Sequence, residues 1–134
     1  MPLRLRFALI LGLALSASAL GCAEPETQPP VLSELSMSSS TLMAGSLGTI
    51  SGQFRFRDPE GDALELNAKV ITADGVEYPF APFAPASLAG IVDGTITFEL
   101  QINLPAPGTY TVELWLRDAD GNDSNTLSAP ITVN

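Results

Sequence analysis

The 134-residue sequence has no histidine and a single cysteine, Cys22, and its six lysines and arginines are outnumbered by fifteen aspartates and glutamates. Each shortage excludes something. Without histidine, no side chain has an ordinary pKa that makes it a general base near neutral pH. One cysteine cannot form an internal disulfide. No serine stands in a nucleophile-elbow sequence, and no glycine-rich phosphate cradle follows a strand and opens a helix. The carboxylate pairs that could do acid and base work fall in open turns, where burial would not raise their pKa values. Together these absences argue against an enzyme. The formal charge of −9 argues against nucleic acid as a partner, because an acidic chain is repelled by the phosphate backbone.

The longest uncharged apolar run is at the N-terminus. Arg4 and Arg6 supply a positive head, Phe7 to Leu15 an apolar centre, and Ser16 to Ala19 with Gly21 a small-residue cleavage region. That is the layout of a signal peptide, and the run is short for a membrane span. Ala19-Leu20-Gly21-Cys22 resembles the lipobox of bacterial lipoproteins. The resemblance implies cleavage before Cys22, diacylglycerol on its sulfur and usually an acyl chain such as palmitate on the new amino terminus. The other reading is an ordinary secretory peptide followed by a free thiol. Two or three acyl chains hold a protein stably where one is marginal.

The expected organisation is a signal peptide over residues 1–21, a lipidated cysteine with a proline-rich tether over 22–30, and a single domain over 31–134. It places the domain outside the cytoplasm, lipid-anchored to a membrane of the bacterial cell envelope. Loss of Arg4 and Arg6 takes the charge from −9 to −11, so attachment must come from membrane lipid rather than from charge. Ala23 to Pro30 has no apolar period, and its prolines favour an extended spacer.

From Val31 onward the chain alternates at period two, the mark of strands with one buried side. The alternation predicts core faces at Val31, Ser33, Leu35 and Met37; at Ile50, Gly52, Phe54 and Phe56; and at Leu64, Leu66, Ala68 and Val70. A short edge strand over Val76 to Phe80, limited by Pro79, follows the Asp74-Gly75 turn. Further core faces fall at Ile96, Phe98, Leu100, Ile102 and Leu104; at Tyr110, Val112, Leu114 and Leu116; and at Leu127, Ala129, Ile131 and Val133. Ser38 to Thr41 reads as a loop or edge interruption. Ala81 to Gly90 is the least regular part, its Phe83 and Leu88 either covering the core or facing a partner. About seven one-sided strands with no convincing helix must pack as an antiparallel β-sandwich.

Pro107-Gly108-Thr109-Tyr110, with the run to Arg117-Asp118-Ala119-Asp120-Gly121, resembles the sixth strand of the immunoglobulin-like superfamily, especially its fibronectin type III-like and cadherin-like bacterial modules. The resemblance covers roughly residues 31 to 134 and implies an all-β, immunoglobulin-like sandwich. It also implies that the Tyr110 hydroxyl bonds back to the preceding connection. The Cys-Trp-Cys pattern of antibody domains is absent, as is the linker motif that joins successive cadherin repeats. Asp58-Pro-Glu-Gly-Asp62 and Asp118-Ala-Asp-Gly-Asn122 look like cadherin-like loop sequences.

In such a topology these two loops lie at one end. Asp58, Glu60, Asp62, Asp118, Asp120 and Asp123 are then candidates to crowd together, with Asn122 as a neutral oxygen ligand. Calcium takes six to eight oxygens, and a bound divalent ion relieves repulsion among carboxylates. The competing reading is that aspartate and glycine stand here because they make turns. Trp115 falls on the outward face of its strand. Beside Tyr78 or Phe83 it would form an aromatic strip suited to sugar rings; alone it is a structural residue. The sequence points to a non-catalytic, envelope-anchored adhesion or protein-interaction module stabilised by calcium, its partner an envelope or extracellular protein. The alternatives are a carbohydrate-binding module with a glycan ligand, or a spacer without a specific ligand.

Overall fold

The computed structural model describes residues 27–85 and 88–134. The lipidation expected at Cys22, the expected signal peptide and most of the expected tether lie outside the described residues. The described residues form eight strands: β1 (Val31–Ser39), β2 (Thr41–Leu42), β3 (Leu47–Arg57), β4 (Ala63–Ile71), β5 (Glu77–Pro79), β6 (Asp93–Asn103), β7 (Gly108–Asp118) and β8 (Leu127–Val133). They make two sheets, one ordered β1-β3-β6 and the other β2-β8-β7-β4-β5. All ladders are antiparallel except that of β2 with β8.

The strand absent from the sequence reading is β2. The first strand runs beside β3 as far as Ser39, then leaves that sheet. Thr41 and Leu42 join the other sheet parallel to Thr132 and Val133. Thr132 N–H donates to Ser40 O at 2.9 Å, and Asn134 N–H to Leu42 O at 2.9 Å. Two residues carry no period, so the sheet switch looked like a loop.

Alternation fixes most inward faces as expected. Ile50, Phe54 and Phe56 of β3, Val112, Leu114 and Leu116 of β7, and Ile131 and Val133 of β8 are all buried. Phe54 and Phe98 meet across the β3–β6 ladder in a tilted pair with ring centroids 6.2 Å apart, a geometry worth about 1 kcal/mol beyond area burial. Two bulges shift the expected phase elsewhere. Glu34 adopts a positive φ of 55°, and the register jumps from Ser33↔Arg55 to Ser36↔Gln53. Leu32 therefore faces the core in place of Val31 and Ser33, while Leu35 and Met37 beyond the bulge keep their inward side. In β4 the register shift between Ala63 and Glu65 turns Leu64 outward, 52% exposed, and buries Ala63 in its stead. An inserted residue reverses the face of everything on one side of it.

The Tyr110 hydroxyl donates to Ala106 O at 2.8 Å, the corner that the resemblance implies. In the segment after β5, Phe80 N–H donates to Ala68 O, and Phe83 and Leu66 exchange backbone hydrogen bonds. The chain therefore extends the β4 edge past β5. Leu88 is buried at 2% exposure, and Phe83 is 61% exposed.

Gly52 is required by packing. A Cβ there would stand 2.5 Å from Ser36 O and 3.0 Å from the Phe98 ring, because the β1 bulge presses onto β3. Gly52→Val should lower unfolding free energy by about 3 kcal/mol or more through overpacking. Tyr110→Phe should cost about 1 kcal/mol, one hydrogen bond. Urea unfolding followed by tryptophan fluorescence measures both.

Candidate functional site

The loops after β3 and β7 leave the sandwich at the same end. Period two carries the inward face of β3 from Phe54 and Phe56 to Asp58, and that of β7 from Leu114 and Leu116 to Asp118. Asp58 is 0% exposed and Asp118 is 1% exposed. A buried carboxylate must be hydrogen-bonded to be tolerated, and both are wrapped by their own loops. Asp58 Oδ2 accepts from Ala63 N–H at 2.6 Å and Oδ1 from Glu60 N–H at 3.3 Å. Asp118 Oδ1 accepts from the N–H groups of Asp120 at 3.0 Å and Asn122 at 2.8 Å, and Oδ2 from Asn122 Nδ2 at 3.0 Å.

The two loops are built alike. Gly61 and Gly121, with φ of +67° and +84°, donate to the carbonyls of Asp58 and Asp118 at 3.0 and 3.2 Å. Only glycine adopts that backbone freely. The loops are tied to each other by Ala119 N–H, which donates to Asp62 O at 3.0 Å. The segment before β1 also lands here: Gln28 N–H donates to Glu60 Oε1 at 3.0 Å and Asn122 Nδ2 to Thr27 Oγ1 at 3.2 Å.

Of the seven residues nominated from sequence, Glu60, Asp62 and Asp120 converge, with one carboxylate oxygen of each within 4.8 Å of the others. The other four are committed elsewhere. Asp58 and Asp118 are held inside their turns, and Asn122 has its amide on Asp118. Asp123 forms a two-point ion pair with Arg117, at 2.8 Å to Nε and 3.2 Å to Nη2. Asp62 Oδ1 is buried and has no hydrogen-bond partner among the described residues. Burial raises the Asp62 pKa, and the charges of Asp58, Asp118, Glu60 and Asp120 push it the same way. Three carboxylates could serve as part of a calcium shell, with backbone carbonyls and water supplying the remaining oxygens.

The three aromatic residues nominated as a binding surface do not share a face. Residues directly opposite in a ladder lie on the same side of the sheet. Tyr78 pairs with buried Val70, and Phe83 bridges to buried Leu66, so both lie on the core side. Trp115 pairs with Asn67 on the outer side and is half-buried. Lys69 Nζ sits 5.9 Å from the Trp115 ring centroid and is held there by Glu77 at 2.8 Å and Glu113 at 3.5 Å. The ring is partly covered, and no strip of three aromatics forms.

Sequence reasoning missed two features. Asn125 mimics a strand, its Oδ1 accepting from Leu32 N–H at 2.7 Å and its Nδ2 donating to Leu32 O at 2.9 Å; no local pattern announces such a bridge. The second is a groove of about 320 Å³ lined chiefly by Leu66, Phe80, Phe83, Phe98 and Leu100. It opens between β6 and the segment after β5, and only the pairing of sheets creates it.

Two facing sheets, the strand that changes sheets and the tyrosine corner define an immunoglobulin-like β-sandwich. No known protein-family profile matches the sequence, and no curated protein matches it. Among solved structures, the chain is similar to the PKD domain of a peptidase from a Thermoplasmatales archaeon, at 19% identity and a TM-score of 0.50. That match covers 80% of this chain and 97% of the other. A superoxide reductase from Ignicoccus hospitalis aligns at 10% identity and a TM-score of 0.46, covering 80% of this chain and 81% of that one. The likeness to the PKD domain speaks to the fold alone, and the fold hosts many functions.

Because the folded pKa of Asp62 is raised, its ionised form costs stability at neutral pH, and that cost disappears as pH falls through the folded pKa. Asp62→Asn should therefore raise the melting temperature in chelator at pH 7, with a gain that shrinks toward pH 4. Asp118→Ala should instead cost about 2 kcal/mol or more, since it removes the buried carboxylate on which the part-buried N–H groups of Asp120 and Asn122 and the Asn122 amide close the loop. Thermal melts across pH distinguish the two roles.

Proposed function

We propose that this chain is a lipid-anchored, non-catalytic protein-interaction module of the bacterial cell envelope, with calcium stabilising its acidic loop end. The observation that carries the reading is the apolar groove of about 320 Å³ at the side of the sandwich, with Phe83 displayed at 61% exposure beside it. An exposed aromatic beside a concave apolar surface is a recognised anchor for a partner. Lipid on Cys22, through the short tether, would keep the module at a membrane surface. The sulfur of Cys22 is then consumed by the lipid.

The calcium proposal is supported by the convergence of Glu60, Asp62 and Asp120 and by Asp62 Oδ1, which has no partner among the described residues. An ion there would offset crowding that burial makes worse. It would also stiffen the end at which the tether enters. A glycan-binding reading draws less support, because Trp115 stands apart from Tyr78 and Phe83. A spacer without a ligand leaves the exposed groove unexplained.

Two measurements test these claims separately. Envelope proteins captured on immobilised protein should be retained by the wild type and lost with Phe83→Ser; equal capture by both would remove the groove as the binding surface. Millimolar calcium should raise the melting temperature of the wild type and leave Asp62→Asn unmoved. An unchanged wild-type melting temperature would end the calcium claim without touching the groove.

A further inference from the structure

The four edge strands of the two sheets are not alike. β1 is broken by the bulge at Glu34, β2 has two residues, and β5 has three and ends in Pro79. Bulges, short strands and proline are the devices by which sheets avoid adding further strands. β6 has none of them. It pairs with β3 over eleven residues without a register shift, contains no proline, and has no strand on its outer side among the described residues.

The groove lies against this same edge. Thr97, Phe98, Glu99 and Leu100 of β6 form one wall, and Phe80 and Phe83 belong to the other. A strand laid along β6 would gain backbone hydrogen bonds from its open side. Alternate side chains of that strand would turn into the gap between the sheets, toward Phe98 and Leu100. Backbone pairing then supplies affinity and the groove supplies selection, the division of labour in strand addition.

Charge narrows the occupant. Glu99 is the only charged residue between Thr95 and Gln101, and no lysine or arginine lines the groove. A second copy would bring another Glu99 and another strongly acidic chain against the first, an unfavourable approach. We infer that β6 accepts an extended segment of a partner protein as an added strand, with apolar side chains at alternate positions and a lysine or arginine beside Glu99. This specifies the mode of the interaction proposed above and rests on it.

The test uses purified protein, a nine-residue peptide alternating leucine with lysine, and a peptide of the same composition with its leucines grouped. Amide exchange resolved by NMR should slow across Thr95 to Gln101 with the alternating peptide only. Glu99→Lys, on an exposed strand face, should keep the wild-type melting temperature and weaken that peptide about fivefold, the scale of one cross-strand charge pair. Phe83→Ser should weaken it as well. Equal protection by the grouped peptide, or no protection along β6 by either, would overturn the inference. So would protection of β6 that grows with protein concentration alone, which would mean self-pairing. If envelope capture depends on Phe83 but Glu99→Lys leaves it and the peptide affinity unchanged, the interaction module stands and strand addition falls.

Discussion

Two carboxylates buried at one end of the sandwich, Asp58 and Asp118, are the constraint on which the loop end depends. Each terminates a strand on its inward face, where an ion without partners would be costly, and each recovers that cost by drawing its own loop around itself. The Asp58 loop carries the chain from one sheet to the other, between β3 and β4. The Asp118 loop returns it within a sheet, from β7 to β8. Because both close on an internal carboxylate, their next acidic residues are brought together beside them, Glu60 and Asp120 exposed and Asp62 partly buried. Glu60, Asp62 and Asp120 converge as a consequence, and Thr27 and Gln28 are received on the same surface.

A different constraint shapes the side of the molecule. The sheets present four edges, and three are shortened or bent. The β1 bulge presses Ser36 onto Gly52, so β3 must carry a residue without a side chain at its centre. The protected edges and the regular β6 edge belong to one sandwich, and the same strand that closes the core with Phe98 and Leu100 leaves its outer side open. Packing and the proposed recognition therefore meet on β6, whereas the candidate cation site stays with the loops at the end.

Much of the fold was legible because alternation is a direct statement about burial. β3, β6, β7 and β8 follow it throughout, and the Pro-Gly-Thr-Tyr run announced the corner at Tyr110. The exceptions have physical causes. At Glu34 and Leu64 one extra residue reverses the face, and nothing local distinguishes such a bulge from continued alternation. The site was legible in part. That the acidic loops share an end follows from topology, but composition alone makes their residues equivalent ligands. Extending the inward parity of β3 and β7 by one step would have separated Asp58 and Asp118, which hold the turns, from Glu60, Asp62 and Asp120, which face one another. Trp115 was correctly placed outward, yet its separation from Tyr78 and Phe83 depends on pairing across strands, which no single strand records.

The division of labour among these carboxylates is the central claim, and a calcium titration followed through the side-chain carboxyl resonances of the protein tests it most directly. The account predicts saturable shifts at Glu60, Asp62 and Asp120 with a midpoint on the order of 10⁻⁴–10⁻³ M, the range of extracellular calcium modules, while Asp58 and Asp118 keep their positions. Shifts led by Asp58 and Asp118, or no response from any residue of the two loops, would contradict it.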